Sequence, residues 1–245
     1  MYFEQFYLGC LAHASYLLGS EGEAIVVDPQ RDVDIYLEAV QKQGLKIQYI
    51  FETHMHADFV SGHRELAART GANIYLARAA GATFPHIAVD DGYTLHVGKL
   101  KLEVQATPGH TPEHVCLLVT DRTRADEPWF ALTGHTLMAG DVGRTELAAD
   151  AAAGARILFK SLARLRALPD HIEVLPGAYA GSVCGRRLSG KPFSTIGFER
   201  RFNAAFRIAT EDAFVEFMLQ DVPPAPEGAA ELQASNSGFQ AQAAE

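Results

Sequence analysis

Cysteine, basic charge and long apolar runs are all scarce in this chain. Its three cysteines, Cys10, Cys116 and Cys184, are far apart and odd in number. Such a set implies no disulfide framework and fits a reducing compartment. No apolar run approaches the roughly 18–20 residues that a membrane span needs, and the N-terminus lacks a signal-peptide pattern. These absences predict a cytoplasmic protein without a membrane partner.

The excess of acidic residues excludes a second class of partner. The chain has 21 Lys and Arg against 30 Asp and Glu, a net charge of −9. Because nucleic acids and anionic membranes attract basic surfaces, neither is expected as the main partner. The hydrophobic content of 48% in 245 residues is ordinary for a globular protein with a sizeable core.

Apolar runs and turn signals predict a single α/β (α+β) domain over residues 1–220. Two β-rich halves are each followed by helical patterns, which suggests two packed sheets with helices outside. From residue 221 the apolar pattern is lost, and Pro223-Pro224-Ala225-Pro226 follows. Residues 221–245 are therefore expected to be a linker or a disordered tail.

Histidine is most concentrated in the stretch Thr53-His-Met-His-Ala-Asp-Phe-Val-Ser-Gly-His63, which closely follows the apolar run Ile47–Phe51. A strand that ends there places His54 and His56 at a sheet edge, where both imidazoles can face one centre. So many polar rings are costly to bury without a metal or an acid–base role. The pattern therefore predicts a metal site.

Three further strand-to-loop junctions carry candidate site residues: His110 after Thr107-Pro108-Gly109, His135 after Gly134, and the turn Pro176-Gly177. The remaining histidines fall outside these candidate ligand positions. Five are expected to be solvated or hydrogen-bonded structural residues, namely His63, His86, His96, His114 and His171. Whether His13 lines the same pocket stays open.

The order and spacing of these motifs resemble the metallo-β-lactamase superfamily, with the series H-x-H-x-D, T-P-G-H and a ligand after T-G. The resemblance implies an αββα sandwich of two mixed sheets with outer helices. Four segments are similar to the persulfide (sulfur) dioxygenase branch: 107–111, 143–146, 181–185 and 194–199. The last two are similar in particular to the metallo-β-lactamase domain of dioxygenase–rhodanese fusions. Since the chain stops about where a rhodanese would begin, a stand-alone form with a functional link to a rhodanese is expected.

Three positions depart from the family pattern. Phe59 stands where binuclear zinc hydrolases carry a histidine, and Ala178 stands where the family's last metal histidine falls. His135 replaces the usual aspartate ligand. One side of a two-metal site has thus lost its ligands, so a single metal is expected.

The resemblance assigns that metal to His54, His110 and His135, three neutral imidazoles in place of two plus a carboxylate. Fe(2+), one per chain, is expected, with Zn(2+) as the alternative because zinc tolerates three histidines. His56 and Asp58 are predicted to support catalysis from beside the metal, Asp58 by orienting an imidazole. Two alternatives stay open: His56 as a direct ligand, and Asp141 as a replacement carboxylate.

The implied reaction is oxidation of glutathione persulfide, or a similar small persulfide, with O₂ to sulfite and thiol. Arg144 is the expected carboxylate-binding arginine, and Thr111, Tyr179 and Arg186 are the other predicted substrate contacts. Cys184 is taken as a buried small residue in preference to a persulfide acceptor.

Two other functions remain open. One is a zinc-dependent thioester hydrolase of the glyoxalase II kind, and the other is a non-catalytic sensor that kept the fold. A homodimer is a further open expectation.

Overall fold

Two six-stranded sheets face each other in the computed structural model, which describes residues 1–146, 150–220, 222 and 228–239. In spatial order the first sheet contains β1 (Tyr2–Leu8), β2 (His13–Ser20), β3 (Glu23–Val27), β4 (Lys46–Phe51), β5 (Asn73–Ala77) and β6 (Ile87–Val89). The second contains β14 (Ser194–Thr195), β13 (Glu173–Pro176), β10 (Phe130–Gly134), β9 (Val115–Asp121), β8 (Leu100–Ala106) and β7 (Thr94–Val97). A small ribbon pairs β11 (Leu137–Met138) with β12 (Asp141–Val142).

The described helices are α1 (Asp34–Gln43), α2 (His63–Thr70), α3 (Ala151–Arg166), α4 (Ile196–Phe202), α5 (Glu211–Leu219) and α6 (Ala229–Asn236), with a 3₁₀ turn at Arg78–Ala80. Three apolar clusters separate the layers. One lies between the sheets, one joins the first sheet to α1 and α2, and one joins the second sheet to α3 and α5. The predicted αββα sandwich of two mixed sheets is therefore confirmed.

Parallel pairing brings several strand ends to one edge of the sandwich. In the first sheet β3, β4 and β5 are parallel neighbours, and in the second β10 is parallel to β13. The carboxyl ends of parallel neighbours lie at the same edge of a sheet, which is where α/β proteins place ligands. The loops after β3, β4, β10 and β13 are thus the natural place for a site.

The C-terminal segment corrects one expectation. Residues 229–236 form α6, and the Asn236 side chain at its end is buried. The prediction of a disordered tail is therefore wrong for residues 228–239, while residues 221, 223–227 and 240–245 lie outside the described part. The domain boundary at residue 220 stays a prediction. Among the described residues, no helix combines the length and apolarity needed to cross a membrane.

Replacing Gly109 by alanine should be unusually destabilising. Its φ of 136° is rarely adopted by other residues, and an added Cβ would lie 2.5 Å from the Leu158 Cα in α3. We expect a loss of unfolding free energy above the roughly 1–2 kcal/mol that a positive φ alone costs, measured by urea denaturation. Gly22→Ala is the matched control, because φ is 85° but nothing lies within 4 Å of the added carbon. Equal losses in the two variants would contradict the close approach of α3.

Candidate metal centre

Asp28 anchors the histidine loop of the first sheet. It follows β3 with a positive φ of 52°, and its carboxylate accepts hydrogen bonds from the Thr53 N–H at 2.7 Å and from the Thr53 hydroxyl at 2.8 Å. These two bonds connect the carboxyl ends of the parallel strands β3 and β4. They hold the chain at the residue that precedes His54.

The proton position on His54 follows from this bond network. The Thr53 hydroxyl hydrogen is given to Asp28, so its oxygen accepts at 2.9 Å from Nδ1 of His54. A neutral imidazole carries one N–H and one lone pair. The lone pair of His54 is therefore on Nε2, which is buried and meets no hydrogen-bond partner in the part of the chain that the structure describes.

The same reasoning applies to His110 in the second sheet. Its Nδ1 lies 2.8 Å from the main-chain oxygen of Arg144, which can only accept a hydrogen bond. Nδ1 therefore donates, and Nε2 carries the lone pair.

His135 completes the first cluster. It follows β10, its main-chain N–H donates to Nε2 of His114 at 3.0 Å, and its Nδ1 lies 3.2 Å from Nε2 of His110. Donor atoms of His54, His110 and His135 all lie within 4.8 Å of one another. Nitrogen ligands on one ion, with bonds of about 2.0–2.1 Å, are roughly 3.3 Å apart at a tetrahedral angle. The predicted trio is thus brought together with a spacing that fits one metal ion.

All three rings are held neutral. Burial, reinforced by neighbouring histidines, lowers the pKa of His110 to about 3 and that of His54 well below its usual value. Burial also lowers the pKa of His135 to about 4, against an opposing effect of Asp58. Because metal ligation requires the unprotonated ring, the cluster is ready to bind a cation near neutral pH.

His56 has a different environment from the trio. Its Nε2 lies 3.3 Å from Asp28 and 3.4 Å from Glu52, and its Nδ1 lies 3.7 Å from Asp58. Burial alone would lower the pKa of His56, but the three carboxylates outweigh it and raise that pKa well above the usual value. His56 lowers the pKa of both Asp28 and Asp58, against the effect of burial. Asp58 thus lies beside His56, and the predicted roles of both residues in catalysis stay predictions.

Two predicted site residues have structural roles instead. The Asp141 carboxylate accepts the main-chain N–H groups of Arg186 and Arg187 at 2.6 and 2.9 Å, so it is engaged in holding that loop, and the alternative of Asp141 as a ligand is corrected. The Arg186 guanidinium donates to the main-chain oxygens of Phe217 and Gln220. It caps the end of α5, which corrects its assignment to the substrate.

The other predicted substrate contacts lie close to the cluster but are largely buried. The Arg144 guanidinium pairs with Glu146 at 2.5 Å and donates to the Val183 oxygen. Thr111 is buried next to His110, and Tyr179 is buried with its hydroxyl against Gln5. Their substrate roles stay predictions.

Several residues at the site were not predicted to belong to it. Asp28 and Glu52 each follow a buried strand, a signal that the sequence does contain, whereas nothing local marks Asn236. Its amide donates to the main-chain oxygens of His56 and Phe59 and accepts from the Ser61 N–H. Cys184 is buried as predicted, but its thiol also lies 3.5 Å from Asp58.

The histidines expected to be structural lie in different environments, some buried and some exposed. His114 is buried and hydrogen-bonded, with its Nδ1 near the Thr136 and Thr107 hydroxyls, as expected of a structural residue. His63 is buried with Nδ1 3.3 Å from Glu52. His96 and His171 are exposed.

Comparison with known proteins supports the interpretation of these motifs. The family model "Metallo-beta-lactamase superfamily" matches residues 8–177, a span that includes His54, His110 and His135. The chain belongs to the metallo-β-lactamase superfamily. The resemblance inferred from the sequence is therefore confirmed at that level.

Relatives with two different activities are similar to this member of the superfamily. The mitochondrial persulfide dioxygenase ETHE1 of Bos taurus is 30% identical over 87% of this chain and 78% of its own. Hydroxyacylglutathione hydrolase of Francisella tularensis subsp. novicida is 32% identical over 68% of this chain, which spans only 62% of that relative. The crystal structure of ETHE1 from Myxococcus xanthus superposes with a TM-score of 0.84 at 28% identity, covering 97% of this chain and 99% of the other.

Removing the Asn236 side-chain amide should loosen the loop between His56 and Ser61, to which that amide is hydrogen-bonded. Asn236→Ala removes two donated hydrogen bonds and leaves the Ser61 N–H unpaired, so we expect a loss of roughly 1–3 kcal/mol in unfolding free energy and weaker metal binding. Thermal unfolding and metal titration measure the two effects. Ser235→Ala, an exposed position on the same helix, is the control. Wild-type values for Asn236→Ala would show that α6 does not support the loop.

Acid should destabilise the metal-free protein between about pH 6.5 and pH 4. In the folded chain, burial lowers the pKa of His13 and His135 to about 4 and that of His110 to about 3. Histidines of the unfolded chain have ordinary pKa values near 6.5. Between pH 6.5 and pH 4 the unfolded chain therefore binds protons that the folded chain does not. Stability therefore falls as pH falls, by roughly 1.4 kcal/mol per pH unit for each such ring.

Urea unfolding of the metal-free chain at several pH values measures this slope. His13→Phe should reduce it by the contribution of one ring, whereas His96→Phe should leave it unchanged. A stability that is constant from pH 6.5 to pH 4 would contradict the burial of neutral rings.

Proposed function

We propose that the chain is a persulfide dioxygenase with one catalytic iron held by His54, His110 and His135. The observation that carries the proposal is the convergence of these three neutral imidazoles, with the proton positions of His54 and His110 set by their hydrogen bonds. The similarity to a persulfide dioxygenase over 87% of the chain supports it, as does the length-matched structural neighbour.

The residues present fit a metal ion. The fixed lone pair of His54 and the Nε2 atom of His135 are buried with no hydrogen-bond partner among the described residues, a state that costs free energy unless a ligand completes it. A ferrous ion held by these three residues would supply the redox chemistry for the oxidation of a persulfide by O₂. Thr53 and the main-chain oxygen of Arg144 hold the rings of His54 and His110 in orientation.

The all-histidine donor set affects how strongly the site would attract anions. A carboxylate ligand cancels one unit of a bound metal's charge, whereas the neutral His135 ring would leave both units of a divalent cation in place. A persulfide anion is therefore attracted more strongly than at a site with two histidines and one carboxylate. We propose glutathione persulfide or a similar small persulfide as the substrate, with Arg144, Thr111 and Tyr179 as its contacts, and O₂ as the second substrate.

A zinc-dependent thioester hydrolase is the second candidate function. The similarity to hydroxyacylglutathione hydrolase favours it, and three histidines are a common zinc ligand set in catalytic sites. In that case the metal would lower the pKa of a bound water toward about 7. The two functions differ in metal, in oxygen requirement and in the bond that is broken.

Oxygen uptake with a defined metal separates the two functions. Protein prepared without oxygen and loaded with Fe²⁺ should consume O₂ and form sulfite when glutathione persulfide is added. His110→Ala should lower this rate by at least about 100-fold, because it removes one of three ligands. The exposed His96→Ala variant should keep the wild-type rate. Zinc-loaded protein that hydrolyses a glutathione thioester, with no oxygen uptake by the iron form, would overturn the dioxygenase in favour of the hydrolase.

A further inference from the structure

The C-terminal segment, residues 228–239, is attached to the fold differently from the other helical parts. It contains the helix α6, in which only Asn236 is buried and no residue belongs to the three apolar clusters of the described chain. Each of the other five α-helices places a buried apolar side chain in one of these clusters, for example Tyr36, Leu66, Leu158, Ile196 and Phe214. The C-terminal segment is therefore held without a share in an apolar core.

Polar bonds at the end of α6 hold the segment against the loop between His56 and Ser61. The Asn236 amide donates to the main-chain oxygens of His56 and Phe59, at 2.8 Å in each case, and accepts the Ser61 N–H at 2.9 Å. This loop begins two residues after His54. The segment is thus bonded to three main-chain groups that directly follow a proposed metal ligand.

A second contact joins the segment to the connection between β5 and β6. The main-chain oxygen of Ser237 accepts the Thr83 N–H at 2.9 Å. Gly238 follows with a φ of 84°, and an added Cβ there would lie 2.6 Å from the Thr83 hydroxyl oxygen and 3.0 Å from Cδ1 of Phe84. The end of the segment is therefore fitted closely against this connection.

The helix α6 depends on these contacts for its own stability. Isolated helices shorter than about 12–15 residues are marginal in water, and α6 has eight residues. Its N-cap is Gly228, and no side chain caps the first turn. Because neither length, capping nor an apolar core supports it, α6 is expected to unfold when the bonds at its end break. The segment then has two states, docked and helical or released and unfolded.

The two states of the segment differ in how well the loop beside the metal centre is fixed. When the segment is docked, the oxygens of His56 and Phe59 and the Ser61 N–H have fixed partners, and when it is released these groups must turn to water. A cation bound through His54 fixes the start of the same loop. Metal binding and docking therefore favour the same loop conformation, and such a coupling is mutual by thermodynamic necessity.

We propose that the C-terminal segment is a latch on the metal centre. A cation bound by His54, His110 and His135 strengthens the docking of the segment, and docking strengthens the binding of the cation by the same factor. The inference rests on the metal centre of the proposed function and concerns the regulation of that centre, not the reaction. A partner that captured the released segment would weaken metal binding.

Hydrogen exchange of the full chain tests the latch without any measurement of activity. Exchange is read by mass spectrometry on peptides from residues 228–239. Zn²⁺-loaded protein should exchange these amides more slowly than metal-free protein, by the roughly 5–150-fold that coupling between two sites commonly reaches. Asn236→Ala should leave the segment in fast exchange with and without Zn²⁺, and should weaken Zn²⁺ binding by the same factor in titration calorimetry. Ser235→Ala, at an exposed position of α6, should match the wild type in both measurements.

A second pair of variants covers the case in which Asn236→Ala does not fold, as judged by far-ultraviolet circular dichroism. Gly238→Ala releases the segment through its clash with Thr83 and Phe84 and leaves the Asn236 side chain in place. Gly228→Ala is its control, because φ is 74° there but nothing lies within 4 Å of the added carbon. Gly238→Ala should show the faster exchange and the weaker Zn²⁺ binding, and Gly228→Ala should show the smaller change in Zn²⁺ binding.

The outcomes separate the latch from the dioxygenase. Equal exchange of the segment with and without bound Zn²⁺, or wild-type Zn²⁺ affinity in a variant whose segment is released, would overturn the latch whatever the enzyme catalyses. A chain that shows the protection but consumes no oxygen with glutathione persulfide would retain the latch and overturn the dioxygenase. A chain that binds no metal would overturn both.

Discussion

The site depends on one constraint: a buried neutral imidazole must donate its single N–H to an acceptor, which leaves one lone pair for a ligand. The fold provides a fixed acceptor for three rings, the Thr53 hydroxyl for His54, the Arg144 oxygen for His110 and the Asp28 oxygen for His13. Asp28 is central to this arrangement, because its carboxylate also orients Thr53. Loss of Asp28 would leave the proton position on His54 undetermined.

The αββα architecture brings these acceptors and rings together from separate parts of the chain. The first sheet contributes His13, His54 and His56, and the second contributes His110 and His135, so the centre lies where the two sheets meet at one edge. The loop between His56 and Ser61 is also bonded to α6 through Asn236. Binding at this centre is consequently coupled to the packing of both sheets and of the C-terminal helix.

Charge is distributed unevenly across the site. His54, His110, His135 and His13 are neutral because burial lowers their pKa values, whereas His56 is positively charged among three carboxylates that raise its pKa. The neutral rings favour a metal ligand role, and the carboxylates compensate cationic charge in their vicinity. This division distinguishes the three rings proposed to hold the iron from His56, which is surrounded by carboxylates.

The sequence by itself determined the layered fold, because strand ends and turns are local features, and its motifs, through their resemblance to a known family, singled out His54, His110 and His135 as candidate ligands. Only the tertiary structure decided that His13 lies beside these rings, which depends on a bridge to Ala178, 165 positions further along the chain. It also decided that Asp141 holds the loop at residues 186 and 187, that Arg186 caps the end of α5, and that Asn236 is bonded to the loop between His56 and Ser61. Local patterns report burial and strand ends, but a side chain's partner across a long sequence separation is set by packing.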